Sequence, residues 1–143
     1  LDLVLASVLP TERRKLFASQ GDICLALQFL QSRHRRTTTS QVVTEIDGHL
    51  KRRGRGEFLK KLRASAFKQV CFAFAETSVP WSVALDFEIL CTLGPTDTGL
   101  IETARRDGLS LLTGDVPLGG IARKHGVQVI DVWQLLHHLN LRQ

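Results

Sequence analysis

Four carboxylates in this sequence stand where a strand hands over to a helix or where a helix begins: Asp2, Glu45, Asp97 and Asp115. Each has an ordinary reading. Asp97 in a first helical turn complements the helix dipole. Asp115, in Thr-Gly-Asp, is a turn residue, and Glu45 is a solvated helical charge. Taken together they point to different chemistry. Carboxylates that converge on one edge repel and raise one another's pKa, and a divalent cation removes that penalty. A donor set of oxygen alone suits Mg2+ or Mn2+. The other acids read as structural. Asp22 is a helix cap, Asp107 belongs to a helix-ending Asp-Gly, and Glu12, Glu57 and Glu102 lie on charged helical faces. Asp131, directly after the last strand, stays open between the two readings.

The elements that must position these acids follow from hydropathy and from Gly, Pro and cap residues. Residues 1–9 predict a short strand and Pro10 opens a helix that Gly21 ends. Asp22 caps a helix from Ile23 that finishes in the basic run Arg33-His-Arg-Arg. Thr37–Thr39 is β-branched and predicts a strand. Ser40 caps a helix carrying Val42, Val43, Ile46 and Leu50, which Gly54 and Gly56 end. A helix follows over 57–67, with Phe58, Leu59, Leu62 and Phe67 on one side. The continuous apolar run Val70-Cys-Phe-Ala-Phe predicts a strand covered on both faces, and Pro80 to Leu90 a helix. Gly94-Pro95 punctuates, Thr96 caps a helix ending at Gly108, and Leu109–Leu112 is a strand left through Thr113-Gly-Asp115. A helix over 116–125, a strand over Val127–Ile130 and a helix over Val132–Leu139 close the chain. Short apolar strands alternating with helices predict an α/β fold. The architecture expected is a three-layer α/β/α single domain over residues 1–143, with a central, mainly parallel sheet. Its working site would lie outside the carboxyl ends of the strands.

Composition narrows the class. Hydrophobic residues make up 43% and charged residues 23% of the 143 residues, which excludes bulk disorder. No stretch approaches a membrane span, and residues 1–10 lack the basic region of a signal peptide. Cys24, Cys71 and Cys91 are too few and too scattered for a disulfide framework or a zinc site, so they are expected as free thiols in the core of a cytoplasmic protein. The sequence contains no Met, which predicts a fragment, a processed chain or one lacking its beginning. Residues 1–70 hold fourteen Lys/Arg against six Asp/Glu, and residues 71–143 five against eight. The basic half predicts a polyanionic partner. Arg33, Arg35, Arg36, Lys51, Arg52, Arg53 and Arg55 are the candidates to hold it.

The order and spacing of several short motifs resemble the PIN-domain nucleases. They are Gly94-Pro-Thr-Asp97-Thr-Gly-Leu-Ile-Glu-Thr-Ala, then Leu-Leu-Thr113-Gly-Asp115, then Gly126-Val-Gln-Val-Ile. Upstream, Thr37-Thr-Thr-Ser-Gln-Val-Val-Thr-Glu45 resembles the family's strand-to-helix segment with its acid. At the start, Leu1-Asp2-Leu3-Val4-Leu5 offers the family's opening Asp without the hydroxyl or amide residue that usually follows it. Asp22 is the other candidate, and Asp2 is favoured. The resemblance implies a metal-dependent ribonuclease whose Asp2, Glu45, Asp97 and Asp115 hold Mg2+ or Mn2+, with Thr96 and Thr113 orienting a carboxylate or a water. It also implies an RNA partner, with single-stranded RNA as one candidate. Similarity to small toxin members of toxin–antitoxin pairs further implies an inhibitory antitoxin-type protein, a homodimer and a cytoplasmic site of action.

Other constellations carry less. His137 and His138 are neighbours on a helix, point about 100° apart and read as a solvated pair. Trp81 and Trp133 read as core anchors. Gly119-Gly120 lacks the Lys-Ser/Thr of a phosphate loop, and no nucleophile elbow is present. Two alternatives stand beside the nuclease. One is a degenerate PIN-like module that binds nucleic acid or protein without cutting. The other is a phosphatase-type α/β enzyme, disfavoured by the missing Asp-x-Asp or Lys signature.

Overall fold

Helices dominate the computed structural model of the chain, which describes residues 20–53, 55–80 and 87–141. The expected strand over 1–9, the helix at Pro10 and Trp81 lie outside the described residues. By its internal contacts the chain divides into two compact units, Leu1–Glu76 and Thr77–Gln143.

In the first unit, α1 spans Gln20–Gln31 and buries Ile23 and Ala26. It starts two residues ahead of Asp22, so Asp22 is a buried first-turn acid rather than the cap. Gly21 costs little in a first turn, and an acid there complements the dipole. Strand β1, Thr37–Thr39, feeds directly into α2, Ser40–Arg53. Here Thr39, not Ser40, caps: its Oγ1 accepts the Val42 N–H at 3.4 Å. Val42, Ile46 and Leu50 form the buried stripe of α2, as their spacing predicts.

Helix α3 runs over Gly56–Ala73 and packs against α2. Its buried stripe is Leu62, Ala66 and Val70. That four-residue period explains where the predicted strand at 70–74 fails. Val70 is the third member of the stripe, so the helix continues through it. Off the stripe, Phe72 is left 78% exposed. The chain turns extended only at Phe74, and β2 is Ala75–Thr77, hydrogen-bonded to β1. Phe58 also stands exposed rather than packed.

In the second unit, α4 spans Phe87–Leu93 and α5 Pro95–Asp107. Both ends of α5 need glycine: Gly94 has φ 81° and Gly108 φ 61°, in the left-handed region. Strand β3, Leu111–Thr113, then leads to α6, Val116–Lys124. Strand β4, Val129–Asp131, and α7, Val132–Asn140, follow. Strands β3 and β4 pair in parallel, with Leu111 opposite Val129 and Thr113 opposite Asp131. Parallel neighbours need a crossover, and α6 supplies it. The core joins Ile89, Ile101, Ala104, Leu111, Leu118 and Ala122. The protein is therefore of mixed α/β class, with short strands in two-stranded sheets among the described residues.

Some surface assignments differ from expectation. Cys24, Cys71 and Cys91 are all exposed, not core. Cys24 and Cys71 each follow a buried residue, Ile23 and Val70, and one helical step turns a side chain by about 100°. Trp133 is 45% exposed. Glu102, expected on a charged face, is buried and accepts a hydrogen bond from Arg105 Nη2 at 2.6 Å. Among the described residues no helix is long and apolar enough to cross a membrane.

Candidate metal centre

The parallel pair β3–β4 ends on a small acidic edge. At its end, Thr113 Oγ1 accepts the backbone N–H of Asp115 at 3.0 Å, which fixes the turn leaving β3. Asp115 then caps α6: its Oδ1 accepts the Leu118 N–H at 2.8 Å. Asp131, in register with Thr113, does the same for α7. Its Oδ1 accepts from Trp133 N at 2.8 Å and from Gln134 N at 3.1 Å. Each carboxylate thus satisfies orphan helix N–H groups with one oxygen. The second oxygen, Oδ2, of Asp115 and of Asp131 makes no hydrogen bond among the described residues. These are hard oxygen donors of the kind a hard cation takes, while the positive helix end that each one caps already offsets part of its charge.

Asp97 belongs to the same unit and is half-buried in the first turn of α5. Gly94, not Thr96, occupies the cap position there, because its carbonyl accepts both the Thr98 N–H at 3.2 Å and the Thr98 hydroxyl at 2.7 Å. Thr96 is half-buried one position before Asp97. Glu45 is exposed in the second turn of α2, in the first unit. Asp2 lies outside the described residues. The structure therefore brings Thr113 and Asp115 together and sets Asp131 opposite Thr113 by register. Among the described residues no three His, Cys, Asp or Glu side chains converge as a metal-holding group.

The basic candidates differ in what they already do. Arg33 lies over the ring of Phe29, its Cζ 4.1 Å from the centroid. Arg35 is exposed, and the half-buried Arg36 accepts the Ala75 N–H on its carbonyl at 2.8 Å. Lys51 is partly neutralised by Asp47, 2.7 Å away. Arg52 is exposed, Arg53 is the last residue of α2, and the exposed Arg55 precedes α3. His137 and His138 are exposed with rings edge to face, 6.1 Å apart, and His138 Nδ1 lies 2.7 Å from the Gln134 carbonyl.

Sequence reasoning missed the capping role of Asp131 and the exposure of Phe72. Asp131 precedes a helix and carries the preferred cap side chain, a signal already present. Extending the period of Leu62 and Ala66 by one more turn would have placed Phe72 outside. No known protein family, characterised protein or solved structure matches this chain.

Proposed function

We propose that the protein is a metal-dependent ribonuclease with a three-layer, PIN-like arrangement. The observation that supports this reading best is Asp115. It stands at the carboxyl end of a parallel strand, with one oxygen engaged in the α6 cap and the other without a hydrogen bond among the described residues. That is where an open parallel α/β sheet places its chemistry. Asp97, in the first turn of the helix before that strand, adds a second acid of the same unit.

On this reading Asp97 and Asp115 hold Mg2+ or Mn2+ in the second unit, and Asp2 and Glu45 are the further acids that the resemblance to the PIN-domain nucleases implies. The ion, when bound, supplies a water of lowered pKa and neutralises charge on the scissile phosphate. Thr113 keeps Asp115 oriented through its backbone, and Thr96, the residue before Asp97, is the other hydroxyl assigned to orient a carboxylate or a water. Arg33, Arg35, Arg36, Lys51, Arg52, Arg53 and Arg55 hold the phosphate backbone. The proposal extends to a cytoplasmic toxin of a toxin–antitoxin pair, a homodimer bound by an inhibitory protein.

The test is incubation with end-labelled single-stranded RNA and DNA in Mn2+, Mg2+ or EDTA, beside the Asp97→Asn variant. Metal-dependent cleavage of RNA that the variant loses is the expected result. Absence of cleavage with either metal from the full-length chain overturns the nuclease and favours a binding module of the same fold.

A further inference from the structure

We propose that an open groove in the first unit is a stacking site for one base of a single-stranded nucleic acid. Its volume is about 320 Å³. The segment before β1 contributes His34, Arg35 and Arg36, the end of α3 contributes Phe72 and Ala73, and the extended chain after it Phe74 and Ala75. The Ala75 N–H to Arg36 carbonyl bond, 2.8 Å, ties the two segments together. Phe72 is the most exposed large apolar side chain among the described residues, at 78%. It sits among three basic residues, and no acid lines the groove. Glu76, the nearest acid in sequence, lines a different cavity with Thr38 and Val43. An exposed aromatic face beside two arginines matches a base flanked by phosphates: the ring takes the π-face and the arginines take the charge. A purely acidic protein partner would use the arginines but leave Phe72 without a role.

This deepens the nucleic-acid reading above but does not require cleavage, so the test is run in EDTA. Binding of fluorescein-labelled oligo(U) and oligo(dT) is measured by anisotropy for the wild type, Phe72→Ala, Phe72→Tyr and the Arg35→Gln/Arg36→Gln double variant. Polyphosphate, which has charge but no bases, serves as competitor. Phe72→Ala is expected to weaken oligonucleotide binding about tenfold, to leave polyphosphate binding unchanged, and to be rescued by Phe72→Tyr. The double arginine variant is expected to weaken both ligands and to flatten the salt dependence. That pattern with oligo(U) alone assigns the site to RNA, and with both oligomers to single strands of either sugar. A Phe72→Ala variant that binds as the wild type does, that loses polyphosphate equally, or a wild type that binds neither oligomer, overturns the proposal. None of these outcomes depends on whether the protein cleaves.

Discussion

One guanidinium closes on both oxygens of one carboxylate between α2 and α3. Arg63 Nε donates to Asp47 Oδ1 at 2.6 Å and Nη2 to Oδ2 at 3.0 Å. The two residues are 16 apart in the chain, so the fork fixes how the two helices meet. Bidentate geometry of this kind is the strong form of an ion pair.

The pair makes stability depend on pH. The hydrogen bond from Arg63, and then that from Lys51, hold Asp47 below the ordinary carboxylate value of 3.8. Its folded pKa is the lower one. The stabilisation is therefore complete above the ordinary value and is lost as pH falls through the folded value. Asp47→Asn is expected to cost about 1 kcal/mol at neutral pH, read as a lower urea midpoint. The gap from the wild type should close in acid; a gap that stays constant with pH would remove the carboxylate as its cause.

Capping and the proposed metal chemistry can be separated at Asp115. Asn is as good an N-cap as Asp, and Ala is not. Asp115→Asn should melt as the wild type does yet lose metal-dependent cleavage, whereas Asp115→Ala should lose cleavage and also about 1 kcal/mol. Asp97→Asn should behave like Asp115→Asn. Full cleavage by Asp115→Asn would take that carboxylate out of the proposed centre.

For Asp131, whose carboxylate accepts two N–H groups of α7, stability alone is expected to respond. Asp131→Ala should cost about 1 kcal/mol and Asp131→Asn little, both retaining cleavage. Thermal melts beside the RNA assay decide it; an Asn variant that folds but does not cut would add Asp131 to the centre.

At Gly48, midway along α2, a Cβ would meet nothing within 4 Å. Glycine in a helix interior costs about 0.5–1 kcal/mol relative to alanine. Gly48→Ala should therefore raise the urea midpoint by about that amount. A destabilised variant would mean that the position is not open.

The helical stripes were the legible part of this fold. Val42, Ile46 and Leu50 are buried as spaced, and Asp97 lies in a first turn as Gly94-Pro95 suggests. The strands at Thr37–Thr39 and near Leu109–Leu112 were also legible, from β-branching and an apolar run. The run Val70–Phe74 misled because an apolar pentapeptide carries no period of its own, and the helix entering it set the period instead. The acids were legible only as a set of types. Which oxygen of a capping carboxylate is engaged, and which is left over, depends on backbone N–H directions that the sequence does not display. Glu102 shows the same limit: only packing reveals that its charge is buried beside Arg105.

The three exposed thiols, Cys24, Cys71 and Cys91, have a consequence for the protein outside a reducing medium. Three is an odd number, so no pairing within one chain can use them all. Even if two were to join, the third would remain for glutathione or for a second chain. Air-oxidised material should therefore be covalently mixed, with adducts and cross-linked dimers that vanish on adding dithiothreitol. A band of twice the 16.0 kDa chain mass in a non-reducing gel would then report storage history rather than assembly.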